Sequence, residues 1–218
     1  MSKSLVFILA CCLLPASCFS LRSEIIDRIA ISAGNQVITE GQIDEELRLT
    51  AFLNRDQMDL TPSGKKKAAD RLIEQTLVKR DMDLSHYPLP ALTDADEALK
   101  SLKARYSGEG QYQQALQQYG IGEDGLKHRL WWQMTLLRFI DYRFRPGIQI
   151  PDKDMQAYYQ QQLANWQQQG TKPIPSFEDT RDSIEQILTE QRIDQALDRW
   201  LADTRTQLAI RYHDETLQ

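Results

Sequence analysis

Two short stretches that alternate apolar and polar residues lie at opposite ends of the sequence, and most of the chain between them has helical periodicity. The first, DRIAISAGNQVIT at residues 27–39, contains the dipeptide Gly-Asn, which predicts a β-hairpin with a two-residue turn. The second, LAIRYHD at residues 208–214, predicts a single strand. A single strand in a packed fold needs a partner for its backbone N–H and C=O groups. Because the hairpin is the only other β-structure predicted, we expect the two ends to form one three-stranded antiparallel sheet.

The segments between the two ends predict a mainly α fold of about six helices. Thr39 and Gln42 form a capping-box pattern that begins the first helix. Thr61, followed by proline, begins a second helix that should pair with the first as an antiparallel hairpin. Ser176 begins a last helix of about 31 residues, which would span roughly 46 Å.

A third helix is predicted to begin at Thr93, with acidic residues in its first turn. Carboxylates stabilise the positive end of a helix dipole, so we interpret Asp94, Asp96 and Glu97 as capping residues and not as a metal or acid–base site. Residues 123–146 are apolar around most of a helical circumference. This pattern predicts a helix at the centre of the bundle.

Residues 1–20 have the organisation of a secretory signal peptide. Lys3 precedes an apolar run, LVFILACCLLP, and small residues follow it. The run is too short to span a bilayer. Cleavage after Ser20 would give a mature chain of residues 21–218 that is exported and not inserted in the membrane. The alternative is a lipid anchor on Cys18. All three cysteines lie in this leader, so the mature chain would have no disulfides.

Charge and composition exclude several classes of partner and reaction. The net charge of −5 would become −6 on loss of Lys3, so nucleic acid is not an expected partner. The mature chain has no cysteine nucleophile, no G-x-S-x-G motif and no glycine-rich phosphate loop. Its three histidines, His86, His128 and His213, lack metal-ligand spacing. We therefore predict a protein that is not an enzyme, with no cofactor and no metal site.

Aromatic residues are the strongest candidates for a binding role. Rings with a polar edge supply flat, amphipathic contact area for peptides. The peptide-binding candidates are Trp132, Tyr158, Tyr159 and Trp166. The alternative for many of the aromatic residues is core packing.

Several motifs resemble those of SurA-type periplasmic chaperones. IIDRIAISAGNQVITEGQIDEELRL resembles the hairpin and first helix that open the family's core domain, and AADRLIEQTLVKRDM resembles its next helix. IQIPDKDMQAYY resembles the junction that ends in a Tyr-Tyr pair, and residues 176–212 resemble the closing helix and strand. The resemblance covers residues 24–214. It implies a periplasmic, ATP-independent holdase whose helical cradle shelters unfolded outer-membrane proteins.

The sequence departs from the family pattern at one place. In the family a parvulin-type prolyl isomerase domain lies between the Tyr-Tyr helix and the closing helix, whereas here the connector is only residues 160–175. The expected organisation is therefore a signal peptide and a chaperone core, in which residues 21–160 and the closing segment 176–214 form one unit across that connector.

The sequence is compatible with two further functions. The chain could be a non-catalytic envelope-assembly subunit with one dedicated partner. It could also be a remnant or accessory of a parvulin-type isomerase. The expected partners of a holdase are unfolded or extended polypeptides, and breadth of client binding would separate it from a subunit with one partner.

Overall fold

The computed structural model describes residues 27–170, 172–214 and 217, and within these residues the fold is mainly α with one small sheet. The strands are β1 (Ile29–Ala33), β2 (Gln36–Thr39) and β3 (Ile210–Tyr212). The helices are α1 (Glu40–Asn54), α2 (Pro62–Leu84), α3 (Asp96–Lys103), α4 (Glu109–Tyr119), α5 (Glu123–Phe144), α6 (Asp152–Gln169) and α7 (Phe177–Gln207). The predicted fold class is confirmed, with seven α-helices in the described residues in place of about six.

The two ends of the chain meet in one antiparallel sheet of order β2-β1-β3, as predicted. Beyond the paired strands, the N–H of Gly34 donates to the C=O of Ala209 at 3.0 Å. The N–H of His213 donates to the C=O of Ala30 at 2.8 Å. The central strand thus satisfies its backbone groups on both sides, which explains why a helical chain begins and ends in β-structure.

The hairpin turn requires glycine at its first position. Gly34 has φ 62°, in the left-handed region that glycine adopts without steric cost. A Cβ placed on Gly34 would also lie 2.7 Å from Cδ1 of Leu208, the residue that leads into β3. The turn is therefore tight both in its backbone conformation and in its contact with the C-terminal segment.

The sheet and the first two helices enclose one apolar core. Leu217, close to the C-terminus, is only 1% exposed and belongs to this core. Its other buried members are Ala30, Ile31, Ile38, Ile43, Leu47, Ala68, Ala69, Ile73 and Leu77. The C-terminal segment therefore contributes a core side chain as well as a strand.

The predicted helix starts are confirmed at the three positions with side-chain caps. The Thr39 hydroxyl accepts from the N–H of Gln42 at 3.2 Å, and the Gln42 side chain accepts from the N–H of Thr39 at 2.9 Å. Thr61 accepts from the N–H of Gly64, and Ser176 forms a capping box with Asp179. Each cap satisfies helix N–H groups that lack an intrahelical partner.

The prediction that Thr93 caps the third helix is wrong. A 3-10 turn at Leu92–Ala95 leads directly into α3, and no side chain caps that helix. Asp96 and Glu97 do lie in the first turn of α3, where carboxylates suit the helix dipole as predicted. Asp94 and Asp96 also pair with Arg138 and Lys127 of α5.

The prediction that α5 lies fully at the bundle centre is wrong for one side of the helix. Thr135 and Phe139 are buried, but Leu137 is 68% exposed and Tyr142 is also exposed. Helix α5 contacts α3 and α7 on its other sides. Its apolar circumference is therefore not fully covered in this chain.

The predicted leader, its cleavage after Ser20 and the alternative lipid anchor at Cys18 fall outside the described residues. Of the connector at 160–175, residues 160–169 continue α6, and the helix ends at Gly170 in a left-handed cap with φ 68°. Among the helices described here, none combines the length and apolar character needed to cross a bilayer.

Candidate functional site: two grooves beside helix α2

Helix α2 has a groove on each side. The hairpin groove, of about 440 Å³, separates α2 from the sheet; its lining includes Gln36, Val37, Leu72, Gln75, Arg80 and Leu84. The bundle groove, of about 220 Å³, separates α2 from α5 and α7; its lining includes Gln75, Val78, Trp132, Leu136, Leu197 and Leu201. Gln75 lines both grooves, so they adjoin across α2.

The hairpin groove combines apolar side chains with a charged rim. Leu72 lines its helix side, and Leu84 at the end of α2 is 68% exposed. Lys79, Arg80 and Asp83 follow one another along the helix side of the groove. A segment that entered this groove would therefore cover apolar surface already in contact with water and would meet more basic than acidic groups.

The bundle groove is lined mainly by aliphatic side chains around one indole ring. Trp132, a predicted peptide-binding residue, is only 8% exposed and packs with Val78, Met82 and Phe139. Its buried Nε1–H has no hydrogen-bond partner in the described chain. An unpaired buried donor is unusual, since most buried N–H groups are bonded.

Lys79 joins the two grooves electrostatically. Its ammonium lies 4.7 Å from the centroid of the Trp132 ring, within the range of a cation–π contact. Partial burial lowers the pKa of Lys79, and the charge of Asp83 acts in the opposite direction. Nearby, burial raises the pKa of Glu74 on the bundle-groove side.

A buried carboxylate pairs with both arginines that line the bundle groove. Glu46 of α1 is 3% exposed and accepts from Nε of Arg71 at 2.8 Å and from Nη2 of Arg129 at 3.0 Å. The second oxygen of Glu46 accepts from Nη1 of Arg129, and the Thr50 hydroxyl donates to the first at 3.2 Å. One carboxylate thus joins α1, α2 and α5 and offsets part of the positive charge of the two guanidinium groups that border the groove.

The other predicted binding residues lie on the hairpin formed by α6 and α7. The ring of Tyr159 contacts Trp166 at 6.0 Å and Phe177 at 5.5 Å between centroids, both edge to face. The Tyr159 hydroxyl donates to the C=O of Pro175 at 2.9 Å. Tyr158 is half-buried on the same helix. These contacts tie the end of the connector to α6, and Trp132 packs in a different cluster.

The three histidines make separate local contacts. Nε2 of His213 lies 2.7 Å from the Ser32 hydroxyl across β3 and β1, whereas His86 and His128 each contact a backbone carbonyl close by in sequence. In the part of the chain that the structure describes, no three histidine, cysteine or acidic side chains are grouped as metal ligands.

Sequence reasoning missed both the grooves and the Glu46 cluster. Glu46 falls between Ile43 and Leu47 on the buried stripe of α1, and a charged residue in such a stripe was a usable sign of a buried ion pair. No sequence pattern indicated the grooves, because their presence depends on the distances of the hairpin and α7 from α2.

No protein-family model matches the sequence, and no curated protein matches it either. Function must therefore be inferred from the geometry of the grooves and from the sequence motifs.

Proposed function

We propose that this protein is an ATP-independent holdase that binds unfolded or extended polypeptides, and is not an enzyme. One observation carries the proposal: two partly apolar grooves adjoin on either side of α2 and open to the surface. The motif resemblance to SurA-type chaperones supports the same function and suggests precursors of outer-membrane proteins as clients.

The grooves suit a binder of many sequences. Aliphatic side chains gain free energy from burial at about 25 cal/mol per Å² without demanding a particular partner geometry. The amide side chains of Gln36 and Gln75 along the hairpin groove can each donate or accept a hydrogen bond. Such a surface binds weakly but broadly, and we expect client affinity to be micromolar at best, about −8 kcal/mol.

We propose that the protein acts in the periplasm after removal of residues 1–20, because the leader has the organisation of a signal peptide. The expected product is a soluble chain that begins at Leu21. Intact mass of the protein recovered from the cell envelope tests this. A species that begins at Cys18 and carries acyl chains would replace this proposal with a lipid-anchored form.

The holdase proposal predicts suppression of aggregation when a urea-unfolded porin is diluted into buffer with a several-fold molar excess of the mature protein and no ATP. Light scattering measures the effect. Leu84→Gln should weaken suppression and raise the apparent Kd about fivefold, because it removes an apolar contact from the hairpin groove. Leu137→Gln is the matched control: both leucines are 68% exposed, but Leu137 lines neither groove. High salt should weaken suppression only in part, because it screens the charged rim of the hairpin groove but not the apolar contacts.

The alternatives make different predictions in the same experiments. Absence of suppression by the folded wild-type protein would contradict the holdase proposal and favour a subunit with one dedicated partner. Accelerated proline-limited refolding by a preparation free of other isomerases would contradict the non-enzymatic part. Equal loss in Leu84→Gln and Leu137→Gln would place the client elsewhere on the surface.

A further inference from the structure

We propose that an extended client segment binds the hairpin groove by adding to the outer edge of β2 as a fourth strand, with an apolar side chain in the groove and an acidic residue paired with Arg80. The inference rests on the proposed function and names the binding mode and the chemistry of the segment. It depends on the strand register, on the position of α2 and on the excess of basic over acidic side chains in the groove.

The outer edge of β2 offers one residue with both backbone groups directed outward. Ala33 and Gln36 flank the two-residue turn and exchange hydrogen bonds, so the next pair, Ser32 and Val37, is a non-hydrogen-bonded pair between β1 and β2. The hydrogen bonds on the other side of β1 fit this register, because Ala30 and Gly34 are bonded to His213 and Ala209 of the C-terminal segment. The N–H and C=O of Val37 therefore point away from β1, toward the position of an added strand.

An added strand would lie directly beside the hairpin groove. Ile38 and Gln36 face α2 from the sheet, whereas the side chain of Val37 is on the other face. The side chain of a client residue that pairs with Val37 would lie on the same face of the sheet as the Val37 side chain. The side chains of its two neighbours would lie on the other face and enter the groove toward Leu72 and Leu84. Backbone bonds would supply affinity for any extended sequence, and the groove would select apolar side chains.

The charge of the groove favours an acidic flank on the client. Arg80 has no ion pair with any side chain in the described residues, although this chain is acidic overall. Lys79 contributes a second positive charge, and Asp83 is the one acid in the lining. An acidic residue beside the apolar core of the segment would give Arg80 a carboxylate partner.

A short edge strand can also pair with a second copy of the same chain. We favour a client strand over a second copy because the floor of the groove lies on α2 and its rim is basic on one side. Two identical edges brought together would place Arg80 of both copies in the same interface, where like charges oppose association.

The probe is a blocked, fluorescently labelled heptapeptide with the sequence Glu-Thr-Val-Thr-Val-Thr-Glu, in which the valines and both glutamates share one face when the central threonine pairs with Val37, and anisotropy measures its binding to the mature protein. An ester scan replaces each backbone N–H of the peptide by oxygen in turn. We expect a loss of about fivefold at the position that donates to Val37 and little change at most others, because one net hydrogen bond is removed. A scan in which no position matters would overturn strand addition.

Variants of the protein test the same backbone contact at Val37. Val37→Pro removes the outward donor without removing a bond to β1, and edge strands tolerate proline. It should weaken the peptide about fivefold, whereas Val37→Thr, which keeps the N–H, should bind as wild type. Because Val37→Pro could disturb the hairpin, circular dichroism and melting accompany it, and the ester scan on the unaltered protein decides independently.

Charge reversal tests the acidic preference. Arg80→Glu should weaken the glutamate-flanked peptide about tenfold and leave a glutamine-flanked peptide within about twofold. Lys66→Glu is the control, with the same change in charge on the same helix, 14 residues and roughly 21 Å away. Equal effects of both reversals would contradict a specific pair with Arg80.

Failure of this inference and failure of the holdase proposal are distinguishable. A protein that suppresses porin aggregation but ignores the ester scan and Val37→Pro remains a holdase without strand addition. Loss of suppression in the wild type removes the holdase proposal itself. A dimer in sedimentation that Val37→Pro converts to a monomer would assign the edge to a second copy and overturn the client mode.

Discussion

Deletion of residues 208–218 is expected to destabilise the whole fold, with a fall in melting temperature of about 10–20 °C or loss of the folded state. The deletion removes β3, so the C=O of Ala30 and the N–H of Gly34 lose their partners. It also removes Leu208, Ile210 and Tyr212 from around the first core, together with the fully buried Leu217.

The size of this effect follows from burial. A fully buried large side chain contributes about 1.5–3 kcal/mol, and a domain of this kind is stable by about 5–15 kcal/mol. Loss of about 5 kcal/mol would lower the melting temperature by roughly 2–4 °C per kcal/mol in a domain of 150–250 residues. Thermal unfolding followed by circular dichroism measures it. An unchanged melting temperature would contradict the observed pairing of the two ends.

A single substitution measures the contribution of the buried Leu217 side chain separately from that of β3. Leu217→Ala should cost about 2–5 kcal/mol, as for other buried leucines. The matched control is Leu137→Ala, because Leu137 is exposed and its truncation should change stability by no more than about 0.5 kcal/mol. Equal, small effects of both substitutions would place the cost of the deletion in the strand alone.

The joined ends of the chain could be predicted from the sequence because backbone pairing is obligatory. A lone strand after α7 had one available partner, so the pattern around Ile210 was sufficient. The starts of α1, α2 and α7 were equally accessible, since Thr39, Thr61 and Ser176 act on N–H groups within three residues. In each case the deciding interaction is either local or the only one possible.

Features that depend on distance in space could not be predicted in this way. The pattern at Thr93 resembles a cap, but pairs from Asp94 and Asp96 to α5 determine the local structure. The apolar circumference of α5 gave no indication that Leu137 would lack a covering element. Helical periodicity identifies an apolar face, but the partner of that face is set by the tertiary arrangement.

The candidate binding residues illustrate the same limit. Tyr159 and Trp166 were predicted to bind peptides because aromatic rings offer flat, amphipathic contact area, and the structure gives both rings contacts within the α6–α7 hairpin. Tyr159 also lines a cavity of about 490 Å³ between α6 and α7, and Trp132 lines the bundle groove, although most of its ring is covered. The exposed Leu84 would not stand out in a sequence, although it borders the hairpin groove.

Replacement of Glu46 by alanine is expected to be the most damaging single substitution outside the apolar core. The side chain of Arg129 is only 12% exposed, and without Glu46 its guanidinium would remain buried with no counter-charge. Removal of one partner of a buried ion pair typically costs about 3–5 kcal/mol. The expected fall in melting temperature is about 10 °C. Because the pair is buried, added salt should change this cost little.

The adjacent residue provides the control, and a double substitution identifies the cause. Glu45 is exposed on the same turn of α1, so Glu45→Ala should change stability by no more than about 0.5 kcal/mol. Glu46→Met combined with Arg129→Met should regain most of the stability, because no unpaired buried charge remains and Arg71, which is 36% exposed, can turn to water. If the double substitution is no more stable than Glu46→Ala, the loss comes from packing among α1, α2 and α5. If it is rescued, the carboxylate acts by lowering the positive charge at the wall of the bundle groove, and Glu46→Ala should then also make that groove favour acidic peptides over neutral ones.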